Sequence, residues 1–112
     1  MDILEEAKSR QLARAAQKIA NDQRRAKFAP VVLALRDPAR VKEVVVLASQ
    51  QVKLWRNKSL CSLDYIEAWD DLLKRPLDAA AILEEDSPYA AQLRQNAPFV
   101  SSLRKLKSAH AA

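Results

Sequence analysis

The sequence predicts an all-α protein, a compact bundle of about five to six helices, and three observations lead to this prediction. The 112 residues include no glycine, the residue that tight β-hairpin turns most often need. Apolar residues recur at the spacing of helical turns in the longer segments. The five prolines fall at intervals that suit the first positions of successive helices. We therefore expect one helical domain that comprises residues 1–112.

The predicted domain has two parts. A long N-terminal helix covers residues 1–28, beginning at about Asp2. It packs weakly on its own domain, protrudes and pairs with another helix, or is ordered by a partner. A helical core covers residues 30–109. Its helical segments are predicted at residues 30–36, 38–58, 63–74, 78–85, 88–96 and 98–109.

Helix starts are predicted from capping residues that stand directly before proline. Asp37 precedes Pro38, and Ser87 precedes Pro88, so each pair offers a side-chain cap and a residue that needs no N–H bond. The valines at 44–46 favour a strand by their own propensity. A helix is still predicted there, because no neighbouring strand or hairpin turn is available to pair with them.

The broadest apolar faces belong to the helices predicted at residues 38–58 and 63–74. Both tryptophans, Trp55 and Trp69, lie on these faces among aliphatic residues. Aromatic side chains at helical spacing are typical of a core, although they also occur as stacking platforms for nucleic-acid bases. We expect these two helices to pair at the centre of the fold.

The N-terminal helix has a narrower apolar face, which we call the apolar stripe. Alanine forms much of it, so the stripe buries little area when covered. The opposite side, here called the basic face, is rich in arginine and lysine. The stripe consists of Leu4, Leu12, Ala15, Ala16, Ile19 and Ala26, and the basic face of Arg10, Arg14, Lys18, Arg24 and Arg25.

Charge favours binding to nucleic acid as the first functional hypothesis. The net charge is +5, and residues 1–36 contain eight basic and four acidic residues, so they contribute +4. Such a surface attracts phosphates independently of sequence and in a salt-sensitive way. Lys42, Lys53 and Arg56 form a second polar strip with residue types that reach base edges in a major groove. DNA and RNA are both candidate ligands, and a merely solvated basic surface is the structural alternative.

A protein partner is the second hypothesis, because the stripe is too narrow to justify so long a helix within a small domain. Leu4, Leu12, Ala16 and Ile19 are the predicted contact residues. The partner is either another protein, as for an adaptor, an inhibitor or an antitoxin-like regulator, or a second copy in a homodimer. This comparison with regulators rests on architecture and not on a specific motif.

Catalysis is not expected. The chain has one cysteine, Cys61, and one histidine, His110, close to its C-terminus. The absence of glycine excludes phosphate-cradling loops and the nucleophile elbow. We predict no catalytic residue, no metal site and no cofactor. The charged N-terminus has no signal-peptide pattern and no apolar run is long enough to span a bilayer, so we expect a cytoplasmic protein without a membrane partner.

Overall fold

A computed structural model of the protein describes residues 3–111, with side chains described for residues 3–106. Every regular element in this part of the chain is a helix, which confirms the all-α prediction. The predicted helix start at Asp2 lies outside the described residues. The helices are α1 (Ile3–Lys27), α2 (Ala29–Leu35), α3 (Val41–Lys58), α4 (Leu63–Leu72), α5 (Pro76–Glu84), α6 (Pro88–Gln95) and α7 (Val100–Ala111).

Residues 3–111 contain seven helices, more than the five to six expected for the bundle. Each of the seven lies on one of the seven segments predicted as helical, so the short segments form helices of their own. Pro76 occupies the first turn of α5, where the missing N–H costs no hydrogen bond. The seven residues of α2 likewise form a separate helix that follows α1 directly.

The two predicted proline starts have different outcomes. Ser87 caps α6 as predicted, because its Oγ accepts a hydrogen bond from the Ala90 N–H at 3.1 Å. The start of α3 at Pro38 was wrong, since the helix begins at Val41. The Oδ1 atom of Asp37 accepts from the Ala39 N–H at 2.9 Å, which closes a local turn over residues 38–40 before the helix begins.

The core is centred on α2, and not on the α3–α4 pair alone. Four of its seven residues, Val31, Val32, Ala34 and Leu35, are buried. It packs on α3, α5 and α7, so it contacts helices on several sides. Helices α3 and α4 do pack together, but they form one flank of the core.

Aromatic side chains join the second half of the chain to this centre. Trp69 is fully buried and donates its indole N–H to the Leu93 carbonyl at 3.3 Å. Its ring meets Phe99 edge to face, with 5.3 Å between the ring centroids. Trp55 is only partly buried. The prediction of a tryptophan core therefore holds fully for Trp69 and in part for Trp55.

One buried charge attaches α1 to the core. Arg94, only 2% exposed, donates from its guanidinium to the carbonyls of Ile82 and Glu85 at 2.8 and 2.7 Å. It also donates to Asn21 Oδ1 of α1 at 3.0 Å. Burial, and to a lesser degree the charge of Arg25, lowers the pKa of Arg94. The three oxygen acceptors replace part of the water that this cation loses, whereas its Nε atom is buried without a hydrogen-bond partner among the described residues.

Most of α1 extends away from the core. Every residue from 3 to 19 is exposed, and none in the whole helix is buried. Seventeen helical residues span roughly 25 Å, within a molecule whose longest dimension is 56 Å. Among the described residues, no helix combines the length and apolarity needed to cross a membrane.

Candidate nucleic-acid interface

Helix α1 turns its polar side toward the core. Asn21 is the residue that Arg94 holds, so the side of α1 that carries Asn21 faces inward. At about 100° per residue, Ile19 lies about 160° away around the helix axis. Ile19 is 59% exposed. The apolar stripe therefore faces away from the core, and part of the basic face lies beside α6.

A groove of ≈ 320 Å³ separates α1 from α6 and the two residues before it. Arg14, Lys18 and Arg24, three of the predicted phosphate-binding residues, line its α1 wall. Both walls carry further polar groups. The remaining lining residues are Gln17, Asn21, Asp86, Ser87, Pro88, Ala91 and Gln95.

These three cations have no intramolecular counterion within the part of the chain whose side chains are described. Neither Arg14, Lys18 nor Arg24 has a carboxylate within ion-pair distance there. Asp86, the one acidic residue of the groove lining, lies 3.8 Å from Arg25. The groove therefore presents three positive charges that an external anion can reach.

The other two members of the basic face have acidic neighbours. Arg25 lies 3.4 Å from Asp22 as well as near Asp86. Arg10 lies 3.9 Å from Glu6, and both side chains are largely exposed. Such an exposed pair is weak, so Arg10 can exchange it for a phosphate at little cost. Arg25, with two carboxylates, is the least available of the five.

The second predicted strip lies on α3, apart from this groove. Lys42, Lys53 and Arg56 are all exposed. Arg56 is 3.9 Å from Asp70 of α4. The main contacts of α3 are with α2, α4 and α7, whereas those of α1 are with α2 and α6. No principal helix contact therefore brings the two basic sets together.

The predicted partner-contact residues lie on the outward side of α1. Leu4, Leu12 and Ile19 are 70%, 72% and 59% exposed, and Ala16 is exposed as well. At its C-terminal end the stripe enters a second groove, of ≈ 620 Å³, beside α2. This groove is lined by Asp22, Arg25, Ala26, Ala29, Val32, Leu33 and Glu84.

Sequence reasoning missed the residues that orient α1. Arg94 reads as an ordinary polar residue at the end of a short helix, and no local pattern predicts its burial. Ser87 was predicted as a cap, but not as part of a groove. The exposure of Leu33 could have been predicted, because a short helix whose residues are all apolar must expose some of them.

Within the described residues, no group of three or more His, Cys, Asp and Glu side chains could hold a metal ion. Cys61 is partly buried. No protein-family model, curated protein or solved structure matches the chain, so its own residues carry the functional interpretation.

Proposed function

We propose that this protein is a non-enzymatic regulator that binds nucleic acid through the basic face of α1. The observation that carries the proposal is the set of three cations on the α1–α6 groove, Arg14, Lys18 and Arg24, without a carboxylate counterion among the described side chains. A phosphate backbone supplies the missing negative charge at repeated intervals.

The shape of α1 suits a long polyanion. Its exposed part is roughly 25 Å long and, with side chains, about 10–12 Å wide, which matches the width of the DNA major groove, about 12 Å. Arg10 stands one turn before Arg14 and extends the row of cations along the rod. Lys42, Lys53 and Arg56 on α3 provide a separate contact surface for a ligand long enough to reach both helices.

Salt dependence is the physical signature of this mode of binding. Each neutralised phosphate of B-DNA contributes about 0.9 to the slope of log K against log salt. Contacts from Arg10, Arg14, Lys18 and Arg24 give a slope of about −3.6. Affinity should then fall roughly 100-fold between about 50 and 200 mM salt.

The test is fluorescence anisotropy with a labelled DNA duplex and an RNA pool. The variant Arg14→Gln/Lys18→Gln/Arg24→Gln removes the three groove cations and keeps residues that favour helix. Its matched control, Lys58→Gln/Lys74→Gln/Arg104→Gln, removes the same charge from exposed positions on α3, the α4–α5 turn and α7.

We expect the groove variant to bind at least tenfold more weakly and the control to bind within about threefold of the natural protein. Equal losses in the two variants would show that only total charge matters. That result would contradict the assignment of the groove.

A protein partner is the second proposal, and the outward orientation of the apolar stripe favours it. The stripe and the basic face lie on different sides of α1, so occupation of one leaves the other accessible. An antitoxin-like regulator, which joins nucleic-acid binding to capture of a protein, would use both faces.

A further inference from the structure

We propose that the protein forms a homodimer in which α1 packs antiparallel on α1 of a second copy through the apolar stripe. The starting observation is the orientation of the helix. Asn21 is held by buried Arg94, so α1 cannot rotate its stripe onto its own core without breaking that contact. Leu12 and Ile19, 72% and 59% exposed, need a cover from outside the monomer.

The arrangement of small and large side chains suits a second copy. Ala15 and Ala16 lie at the middle of the stripe, and small residues let two helix axes approach closely. When Ala15 faces Ala16 of the second copy in an antiparallel pair, Leu12 faces Ile19 of the second copy. The same contact occurs twice by symmetry, so Leu12 and Ile19 of each copy both meet an aliphatic residue.

Charge along α1 decides the direction of pairing. In the antiparallel register, Glu5 comes beside Lys27 of the second copy, on the same edge of the stripe. Lys8, whose position lies within the stripe, comes near Asp22 of the second copy. A parallel register would instead place Lys8 against Lys8, and it would hold Glu5 and Lys27 of the second copy at opposite ends of the pair. Within the described side chains, Glu5 and Lys27 have no ion-pair partner, so both remain available for this contact.

The stripe continues into a groove that receives the end of the second helix. Ala26 belongs to the stripe and also lines the groove beside α2. Ala29 and Leu33 follow it there, and Leu33 is 70% exposed. In the antiparallel register the first turn of the second α1, with Leu4, reaches this groove. The stripe and the groove are therefore neighbouring surfaces, with the charged residues Asp22, Arg25 and Glu84 at the rim of the groove.

The first test is the mass of the full chain in solution, by sedimentation equilibrium over a concentration series without nucleic acid. We expect a reversible species of twice the 12.6 kDa monomer mass. In Leu12→Gln/Ile19→Gln the dimer should weaken about 100-fold or more. The matched control, Leu60→Gln/Leu77→Gln, removes two leucines that are 62% and 66% exposed elsewhere, and it should dimerise like the natural protein.

The outcomes are separable. A monomer at all concentrations, or equal loss of dimer in variant and control, overturns the proposal. A protein that stays monomeric but binds a different protein through Leu12 and Ile19 also overturns it and assigns the stripe to a heterologous partner. Circular dichroism confirms that both variants keep their helix content.

The direction of pairing has its own test. In a Cys61→Ser background, a mixture of Leu12→Cys and Ile19→Cys chains should oxidise mainly to the mixed disulfide. A parallel dimer would give each variant's own disulfide instead.

Glu5→Lys should weaken the dimer about tenfold, and Glu5→Lys/Lys27→Glu should restore it, because the ion pair then forms with reversed charges. Failure of that restoration contradicts the register.

Nucleic-acid binding can fail without affecting this inference. The Arg14→Gln/Lys18→Gln/Arg24→Gln variant changes the other side of α1 and should keep the dimer. The Gln substitutions in the stripe leave the net charge unchanged, so each monomer keeps its basic face. If the natural protein has one of the two properties and lacks the other, the missing property therefore identifies which of the two proposals is wrong.

Discussion

Helices α1 and α2 follow each other in the chain but differ in almost every physical respect. The 25 residues of α1 include no buried residue, whereas four of the seven residues of α2 are buried. Alanine and long polar residues form α1, so its helical state rests on intrinsic propensity. Valine and leucine form α2, and its position rests on packing. Length and regularity therefore do not measure how much a helix contributes to the fold.

The contrast has a functional side. An element that stabilises little of its own domain can be ordered or covered by a ligand without loss of the core. Helix α1 is attached to the core through the hydrogen bond between Arg94 and Asn21, which we call the anchor. The anchor fixes which side of α1 faces the core, while residues 3–19 stay exposed. The apolar stripe therefore remains on the outer side, apart from the basic face.

The largest expected difference between the two helices is in hydrogen exchange. In the Leu12→Gln/Ile19→Gln variant, which removes the proposed dimer contact, amides of residues 5–19 should exchange within about 100-fold of unstructured rates. Exchange of the α2 amides should be at least 10³-fold slower than unstructured rates, because these amides exchange only when a larger part of the core opens. Similar protection in both helices would show that α1 is stabilised by contacts absent from this account.

A substitution in the core should lower the free energy of unfolding far more than a substitution in α1. Leu83→Ala removes a fully buried side chain of α5 and should lower the free energy of unfolding by about 3 kcal/mol. Leu12→Ala, at a largely exposed position, should change it by less than about 0.5 kcal/mol at dilute concentration. Urea denaturation measures both. A cost above about 1.5 kcal/mol for Leu12→Ala would place that residue in an intramolecular contact.

The anchor between the two regions should have an intermediate effect. Arg94→Met keeps most of the side-chain volume but leaves the Ile82 and Glu85 carbonyls and Asn21 without their donor, at a cost of about 2–3 kcal/mol. Asn21→Ala should cost only about 1 kcal/mol. Both should increase amide exchange in the C-terminal half of α1. Unchanged exchange there would show that Arg94 serves the α5–α6 connection alone.

The smallest effect should come from a helix cap that also borders the α1–α6 groove. Ser87→Ala removes the acceptor for the Ala90 N–H and should cost about 1 kcal/mol in thermal or urea unfolding. Ser87→Asp keeps an acceptor but places a carboxylate beside Glu85, which accepts from the Ser87 Oγ at 2.8 Å, so it should restore only part of that stability. Because Ser87 lines the groove, the added carboxylate should also weaken nucleic-acid binding. Stronger binding by Ser87→Asp would contradict the position of the phosphate.

Sequence patterns predicted the helices better than their packing. The helical class and the segment boundaries near Ser87 follow from local periodicity and capping, which act within a few residues. The start of α3 was misplaced because Asp37 closes a turn instead of capping the helix. The central position of α2 was missed, because seven apolar residues give no information about which helices surround them.

The orientation of α1 could not be predicted for a related reason. A helical projection separates the basic face from the stripe, but it does not say which of them faces the core. Apolar burial alone favours the stripe as the inner side. The structure has the opposite arrangement, because Arg94, distant in sequence, forms its contact with Asn21. Only a tertiary contact could reveal it.

The measurement that tests the central claim most directly is the salt dependence of binding to a DNA duplex. We would compare the slope of log K against log salt for the natural protein and for Arg14→Gln/Lys18→Gln/Arg24→Gln. Loss of three phosphate contacts should reduce the magnitude of the slope by about 2.7. Identical slopes, or absence of binding by the natural protein at about 50 mM salt, would contradict the claim that the basic face of α1 binds nucleic acid.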